Sequence, residues 1–242
     1  MATTHHISHA DEIYLGGVYY AAARAGHGVR QVQLFTHQLG AVVAADADGV
    51  LVGGTATATG GTSFTLATGA ALVSVAGTAQ MDVPRNIVIS SAATGGATSA
   101  TGVNFTITGT DVYGETISEV IAGFSTGAAG SGAKAFYTVT AAAASAAVTD
   151  AVNIGTGNVL GMPIKMADKG AVIAYSVDGL PTTPTIVAGL ATGTASTTTT
   201  ADVRGTITTA TGVKPNGTRR YTALIAVPSN RRKIDVYGNT QA

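Results

Sequence analysis

The chain has 242 residues, of which only 11% are charged, with 32 glycines, no cysteine, no tryptophan and a formal net charge of zero. The lack of cysteine excludes disulfides and thiolate chemistry, and the low charge excludes the composition typical of a disordered chain. Because 45% of the residues are apolar but only 5% are aromatic, we expect a folded domain whose core is built mainly from Val, Ile, Leu and Ala.

Residues 1–45 differ in composition from the rest of the chain. They contain all five histidines and the only stretch that could begin a helix, ADEIYLGGVYYAAARA, which Gly16-Gly17 interrupts. We therefore assign residues 1–45 to an extended N-terminal arm and residues 46–242 to a single β domain. The exposed apolar and aromatic side chains of such an arm would need a partner. The candidate contacts are Tyr14, Tyr19 and Tyr20.

Neither a targeting segment nor a membrane span is expected. No basic stretch followed by an apolar run occurs near residue 1, so we expect no signal peptide. The Thr/Ala/Gly tracts are too polar or too short to cross a bilayer.

Two short acidic or histidine-containing motifs could in principle bind a metal. His5 and His9 would share one face of a helix and could bind Zn²⁺, but no third ligand is fixed, and a mobile chain end is the reading that we favour. The sequence DADG at 46–49 resembles the beginning of a Ca²⁺ loop but lacks the later acidic ligands, which favours a turn. We expect no metal site and no cofactor.

From about residue 46 onward, short β-branched runs alternate with Gly, Asp, Asn and Ser. This spacing predicts an all-β fold, a β-sandwich of the jelly-roll or immunoglobulin-like kind. The segments NFTIT and AFYTV alternate with a period of two, as half-buried strands do. Their Thr and Ala positions predict an outer face that another protein could cover.

Two turns are predicted to close hairpins. In DVYGE, Asp111 initiates a turn and Gly114 takes a positive φ, so that Val103–Thr108 pairs with Glu115–Ile121. In PNGT, Asn216 and Gly217 predict a hairpin with a type I′ turn.

Two further motifs border predicted strands. In MDVPRNIVIS, Pro84 is predicted to lie just before a strand, and Arg85 and Asn86 to tie the entry of that strand to loop carbonyls. The sequence GTGNVLG at 155–161 lacks the last glycine of the dinucleotide fingerprint, because Leu160 takes that position, and we predict a loop.

No arrangement of residues predicts catalysis. There is no GxSxG elbow, and every histidine lies in the first 37 residues. Glu115 and Glu119 would lie about 13 Å apart on a strand, farther than the carboxyl groups of a glycosidase pair. We expect no enzymatic activity.

The charge is distributed unevenly. Residues 1–200 carry six basic and eleven acidic side chains, whereas residues 201–242 carry seven basic and two acidic ones. A solvated face is favoured over nucleic-acid binding, because only Tyr221 and Tyr237 lie nearby for stacking. Contacts with an acidic partner or a neighbouring copy are predicted for Arg219, Arg220, Arg231, Arg232 and Lys233.

Taken in order, PRN, TGTDVYGE, KAFYTVT, GTGNVLGMP and DVRGT over residues 81–225 resemble a group of virion structural proteins of tailed bacteriophages. The resemblance implies a capsid decoration or cement protein. Such a protein would be located on the capsid surface, and its partners would be the major capsid protein and further copies of itself, commonly in a homotrimer. It would stabilise the shell by bridging capsomers.

A tail or fibre module that binds a host glycan is the alternative. A glycan site usually has aromatic stacking platforms, and the scarcity of aromatic residues disfavours this reading.

Overall fold

The computed structural model describes residues 32–56, 62–64, 66, 73–75, 78–92, 100–166, 168–191 and 193–228. These residues contain fifteen strands, no α-helix, and two short 3₁₀ turns at Lys169–Ala171 and Thr211–Val213, so the all-β prediction is confirmed. The strands are β1 Val32–Ala41, β2 Leu51–Ala56, β3 Thr62–Ser63, β4 Val73–Val75, β5 Thr78–Ser91, β6 Asn104–Thr110, β7 Thr116–Ala122, β8 Ala129–Ser131, β9 Phe136–Ala144, β10 Val148–Gly161, β11 Val172–Val177, β12 Leu180–Pro181, β13 Thr185–Ala188, β14 Gly205–Thr208 and β15 Arg220–Pro228.

Eleven strands form a large antiparallel sheet. Its main path runs β13-β14-β10-β5-β9-β6-β7, and β2, β3, β4 and β8 join it at the side. The long strand β5 has different neighbours along its length. Its first residues pair with β4 and β9, and its last residues pair with β10 and β8. Strand β5 thus connects different parts of the large sheet, and the antiparallel sheets pack against each other as in a β-sandwich.

The remaining strands form a small sheet in the order β1-β15-β11-β12. Strand β1 lies inside the segment that we assigned to an arm, yet it pairs with β15 from Val32 opposite Pro228 to Ala41 opposite Arg220. The sheet therefore begins before residue 46, and the boundary at residues 45/46 does not coincide with the beginning of the fold. Residues 1–31 lie outside the described residues.

Two apolar clusters hold these layers together. The first lies between the halves of the large sheet and contains Ile87, Ile89, Phe105, Phe136 and Ile154 among its buried residues. The second joins the small sheet to the ends of β10 and β14 and includes Tyr175, Tyr221 and Ile225. Val, Ile, Leu and Ala dominate both clusters, as the composition predicts.

The hairpin predicted at Asn216 and Gly217 is wrong. Strand β14 pairs with β10 and β13, and β15 pairs with β1 and β11, so the two strands that flank this bend do not pair with each other. Only Gly217 has a positive φ, whereas a type I′ turn needs one at both central residues. The Asn216 carboxamide oxygen instead accepts hydrogen bonds from the amides of Thr218 and Arg219.

The hairpin of β6 and β7 is confirmed. The two strands pair without a register shift from Asn104 opposite Ala122 to Thr110 opposite Thr116. In the connecting loop the Asp111 Oδ1 atom accepts the amides of Tyr113 and Glu115, and Gly114 has a φ of 83°. Asp111 thus initiates the turn and Gly114 supplies the left-handed residue, as predicted.

Substitution of Gly114 by alanine is expected to cost about 1 kcal/mol of folding free energy, because a Cβ atom is strained at this φ. An added Cβ would meet no atom within 4 Å, so the strain of the backbone is the whole effect. Gly212→Ala is the matched control, since that position is equally open and lacks the positive φ. Urea denaturation curves measure both, and equal midpoints would contradict the prediction.

Candidate functional site

An ion pair between Asp111 and Arg204 links the β6–β7 loop to the segment before β14. The Arg204 guanidinium donates to Asp111 Oδ2, and both side chains are buried. The guanidinium carbon also lies 4.7 Å from the centre of the Tyr113 ring, and the Tyr113 hydroxyl donates to the carbonyl of Pro163 at 2.7 Å. Three of the quoted motifs, DVYGE, DVRGT and GTGNVLGMP, therefore meet at one place.

Two further buried carboxylates organise the backbone that leads into β9. Asp202 accepts the amides of Ala135, Arg204 and Gly205, and Glu119 accepts the amides of Ala133 and Lys134. The Lys134 ammonium donates to the carbonyl of Ser118 at 3.0 Å. These contacts tie the KAF motif to DVRGT and to strand β7.

Burial dominates the protonation behaviour of Glu119 and Lys134. Desolvation raises the pKa of Glu119, and the backbone donors and the Lys134 charge oppose it only in part. Desolvation likewise lowers the pKa of Lys134, and the negative charges of Glu119 and Asp202 offset this effect only in part. Both groups are thus held in a poorly solvated place by backbone contacts, an arrangement that fixes the loops around them.

The PRN motif fulfils its predicted role. The Arg85 guanidinium donates to the carbonyls of Val43 and Ala44, and the Asn86 amide donates to the carbonyl of Gly132. Asn86 also accepts the amide of Val159 at 3.1 Å. Pro84, however, lies inside β5 and not just before a strand. It stands where the pairing with β9 shifts register, which is a place where the missing N–H costs no ladder bond.

The loop predicted for GTGNVLG is wrong, because strand β10 runs through it. Its glycines allow other segments of the chain to pack closely against the strand. A Cβ at Gly155 would overlap the backbone of Asp46 and Ala47, and a Cβ at Gly157 would overlap the Asn86 side chain. A Cβ at Gly161 would press on Ala135 and Pro84. Glycine within a strand therefore marks contact with another chain segment here, not the end of the strand.

We call these residues the polar framework: Arg85, Asn86, Asp111, Glu119, Lys134, Asp202 and Arg204, each at most 7% exposed. Every motif that carries the phage resemblance supplies either a member of it or a glycine packed against it. Sequence reasoning did not find the framework as a unit, because residues that contact each other in it are distant in sequence, such as Asp111 and Arg204, which lie 93 residues apart. The available signal was the rarity of charge, since a lone Asp or Arg amid β-branched residues is often a buried partner.

The chain matches no family model, no curated protein and no solved structure. The proposed function therefore rests on the geometry of the site and on the sequence motifs.

The outer face of β6, β7 and β9 is uncharged. Thr106, Thr108 and Thr110 on β6 lie opposite Val120, Ser118 and Thr116 on β7. On the other side they face Ala143, Ala141 and Thr138 of β9. Hydroxyl groups bond across the strands, as between Thr110 and Thr138 at 2.7 Å. We call this surface the threonine face, and it matches the predicted Thr/Ala surface.

A groove of about 470 Å³ lies at the end of the small sheet. Gln38, Asp178, Arg220 and Thr222 supply its polar lining. Its one aromatic residue, Tyr221, is fully buried and packs with Tyr175, so it offers no ring to a ligand. A sugar would find hydrogen-bonding groups here but no stacking platform.

The predicted partner contacts are only partly visible. Arg220 is exposed, and Arg219 is half-buried and donates to the carbonyl of Lys214 at 2.8 Å. The other predicted contacts lie outside the described residues: Tyr14, Tyr19, Tyr20, Arg231, Arg232 and Lys233. The same holds for His5 and His9 of the metal hypothesis.

Within the described ranges, no group of three or more His, Asp or Glu side chains could hold a metal ion. In the same part of the chain no helix is long and apolar enough to span a bilayer.

Proposed function

We propose that this chain is a structural protein of a phage virion, which binds the outer surface of the capsid and stabilises it by bridging neighbouring capsomers. The observation that carries the proposal is the polar framework. The motifs on which the resemblance rests meet in one buried network, and that network fixes loops. A motif set of this kind is expected of a scaffold protein, whereas catalytic groups would have to reach a substrate.

The physical demands of such a role agree with this scaffold. A protein that reinforces a shell must transmit load between its contacts without opening, so its loops should be tied to its sheets. The Asp111–Arg204 pair, the Asp202 contacts and the Asn86 contacts do this across segments distant in sequence. The threonine face is uncharged, so many crowded copies could approach one another or a shell without like-charge repulsion.

The terminal segments fit an anchoring role. In the small sheet Val32 lies opposite Pro228, so the described part of the chain begins and ends side by side. The aromatic residues among positions 1–31 and the basic residues among positions 229–242 are therefore joined in sequence to neighbouring strand ends. Two linked contacts with a repetitive shell would raise the avidity.

The glycan-binding alternative is less well supported. The groove by Gln38 and Arg220 has no exposed ring. Tyr113 is 60% exposed, but its ring already covers Arg204 and its hydroxyl is bonded to Pro163. We therefore propose neither a glycan-binding nor a catalytic role.

Locating the protein on the particle tests the proposal. Virions carrying a tagged copy would be labelled and imaged, and the copy number would be measured by quantitative mass spectrometry. We expect label over the whole head and hundreds of copies. Label at the tail with a few copies would refute the capsid role, and absence from the particle would refute a virion role altogether.

Removal of residues 1–31 is expected to leave the fold intact and to weaken capsid binding by at least about tenfold, because one of two linked contacts is lost. The truncation must stop before β1, since deletion of residues 1–45 would also strip β15 of a neighbour. Removal of residues 229–242 is the matched comparison, and we expect a smaller, salt-dependent loss. Unchanged saturation of heads after removal of residues 1–31 would show that this segment is not the anchor.

A further inference from the structure

Strand β1 is the long outer edge of the small sheet. Nine of its ten residues pair with β15 on one side, and none of the described residues pairs with it on the other. The opposite edge, β12, has only two residues and ends in Pro181. An edge of this length presents a row of backbone donors and acceptors to any extended strand that approaches.

The sequence of β1 lacks the charged residues and prolines that normally prevent such pairing. VQLFTHQLGA contains no Lys, Arg, Asp, Glu or Pro, and its one irregularity is the register shift between Gln38 and Gly40. The edge strand β7 of the large sheet is protected against such pairing. Strand β7 contains Glu119, and the amide of Val120 is already bonded to the carbonyl of Thr198. Leu34 and Phe35 on β1 are meanwhile 47% and 40% exposed.

We infer that this edge is an interface between two copies of the chain, which join β1 to β1 antiparallel about a twofold axis into one continuous sheet. A second copy fits because a strand that pairs here should be long, uncharged and free of proline, and β1 itself meets each condition. A twofold axis through Thr36 places Thr36 opposite Thr36, Phe35 opposite His37 and Leu34 opposite Gln38.

The side chains on one face are suited to this register. Phe35 and His37 already stack within one chain, with ring centres 6.2 Å apart and planes inclined by 17°. Across the axis the same two rings of the second copy would lie alongside, and aromatic cross-strand pairs stabilise antiparallel sheets. Burial lowers the pKa of His37, which favours the uncharged ring at this contact.

The contact is isologous and therefore closes as a dimer. The trimer that the phage resemblance implies would need a different interface. The inference does not depend on the virion role, since it concerns the purified protein alone.

Sedimentation velocity of the full chain at several concentrations tests the inference, and we expect a reversible dimer. Thr36→Lys would place two like charges face to face, so the dimer dissociation constant should rise by at least about tenfold. Thr185→Lys is the control, because Thr185 is also exposed and lies on β13 at the edge of the large sheet. It should leave the dimer unchanged. Thermal unfolding of each variant verifies that the fold is retained.

Charge complementation makes the test specific. Thr36→Glu alone should also yield monomers, and an equimolar mixture of Thr36→Lys and Thr36→Glu should restore the dimer. A wild-type monomer or trimer would overturn the inference, as would a dimer insensitive to Thr36→Lys. A monomer that dimerises only after removal of residues 1–31 would also overturn it, because the edge would then be covered within one chain.

Discussion

Replacement of Arg204 by methionine is expected to lower the free energy of unfolding by about 3–5 kcal/mol, the cost of leaving one partner of a buried ion pair without the other. Asp111 is 3% exposed, and its Oδ2 atom would lose the hydrogen bond that it accepts from the Arg204 guanidinium. Methionine replaces the apolar stem of the side chain but carries no charge or N–H donor, so the loss reports mainly on the guanidinium and its hydrogen bond. The cation–π contact with Tyr113 would be lost as well.

Urea denaturation followed by circular dichroism measures this loss, and Arg219→Met is the control. Arg219 is half-buried, and its guanidinium donates to the carbonyl of Lys214 and interacts with the Tyr221 side chain, so its replacement should cost about 1 kcal/mol or less, well below the loss at the buried pair. If Arg204→Met proves too unstable to purify, Arg204→Lys retains the charge and should give a smaller, measurable loss.

Adding Asp111→Asn to Arg204→Met should recover part of the stability, because the buried carboxylate is then no longer charged. A loss below 1 kcal/mol would show that the pair does not hold the loops.

The parts of this fold that sequence could predict are those with local signals. The β6–β7 hairpin was found because Asp111 and Gly114 each have a conformational reason to occupy a turn. The role of Arg85 and Asn86 was predicted because polar side chains beside a proline at a presumed strand entry need partners, although Pro84 itself lies inside β5. In both places the residues that carry the signal lie within a few positions of the structure that they predict.

What failed or stayed hidden depends on distant segments. The Asn-Gly pair at 216–217 has the right residues for a type I′ hairpin, but the pairing of β15 with β1 and β11 decides the local conformation. A type I′ geometry forms instead at Asp178 and Gly179, where φ is 53° and 79° and β11 does pair with β12. Strand β1 was missed because its segment was assigned to an arm by composition, and the strand that pairs with it, β15, lies near the other end of the chain. The Asp111–Arg204 pair could not be predicted from spacing at all.

The glycines of GTGNVLG show the same limitation most clearly. In the sequence they indicate a loop, since glycine is rare inside strands. In the structure they lie in β10, where the backbone of Asp46 and Ala47 and the side chain of Asn86 leave no room for a Cβ atom. Glycine at these positions is set by what packs against the strand, and a single sequence does not reveal the partner.

Gly155→Ala should therefore be the most damaging single-methyl change in the motif, with an expected loss of at least about 3 kcal/mol, the upper range for overpacking. The new Cβ would overlap backbone atoms of Asp46 and Ala47, which cannot turn aside as a side chain can. Hydrogen bonds fix both segments. The Thr156 amide donates to the Asp46 carbonyl at 2.7 Å, and the Val50 amide donates to the Ile154 carbonyl at 2.9 Å.

Gly157→Ala supplies the comparison within the same strand. There the new methyl group meets the Asn86 side chain, which can move at the cost of its bonds to Gly132 and Val159. We expect a loss of about 1–3 kcal/mol, smaller than for Gly155→Ala because the obstacle is a side chain. Gly212→Ala, in open space, should change stability by less than 0.5 kcal/mol or so. Chemical denaturation of the three variants gives the order directly. If Gly155→Ala is no more destabilised than Gly212→Ala, residues 46–47 do not pack against β10, and the account of the motif as a set of close-approach glycines fails.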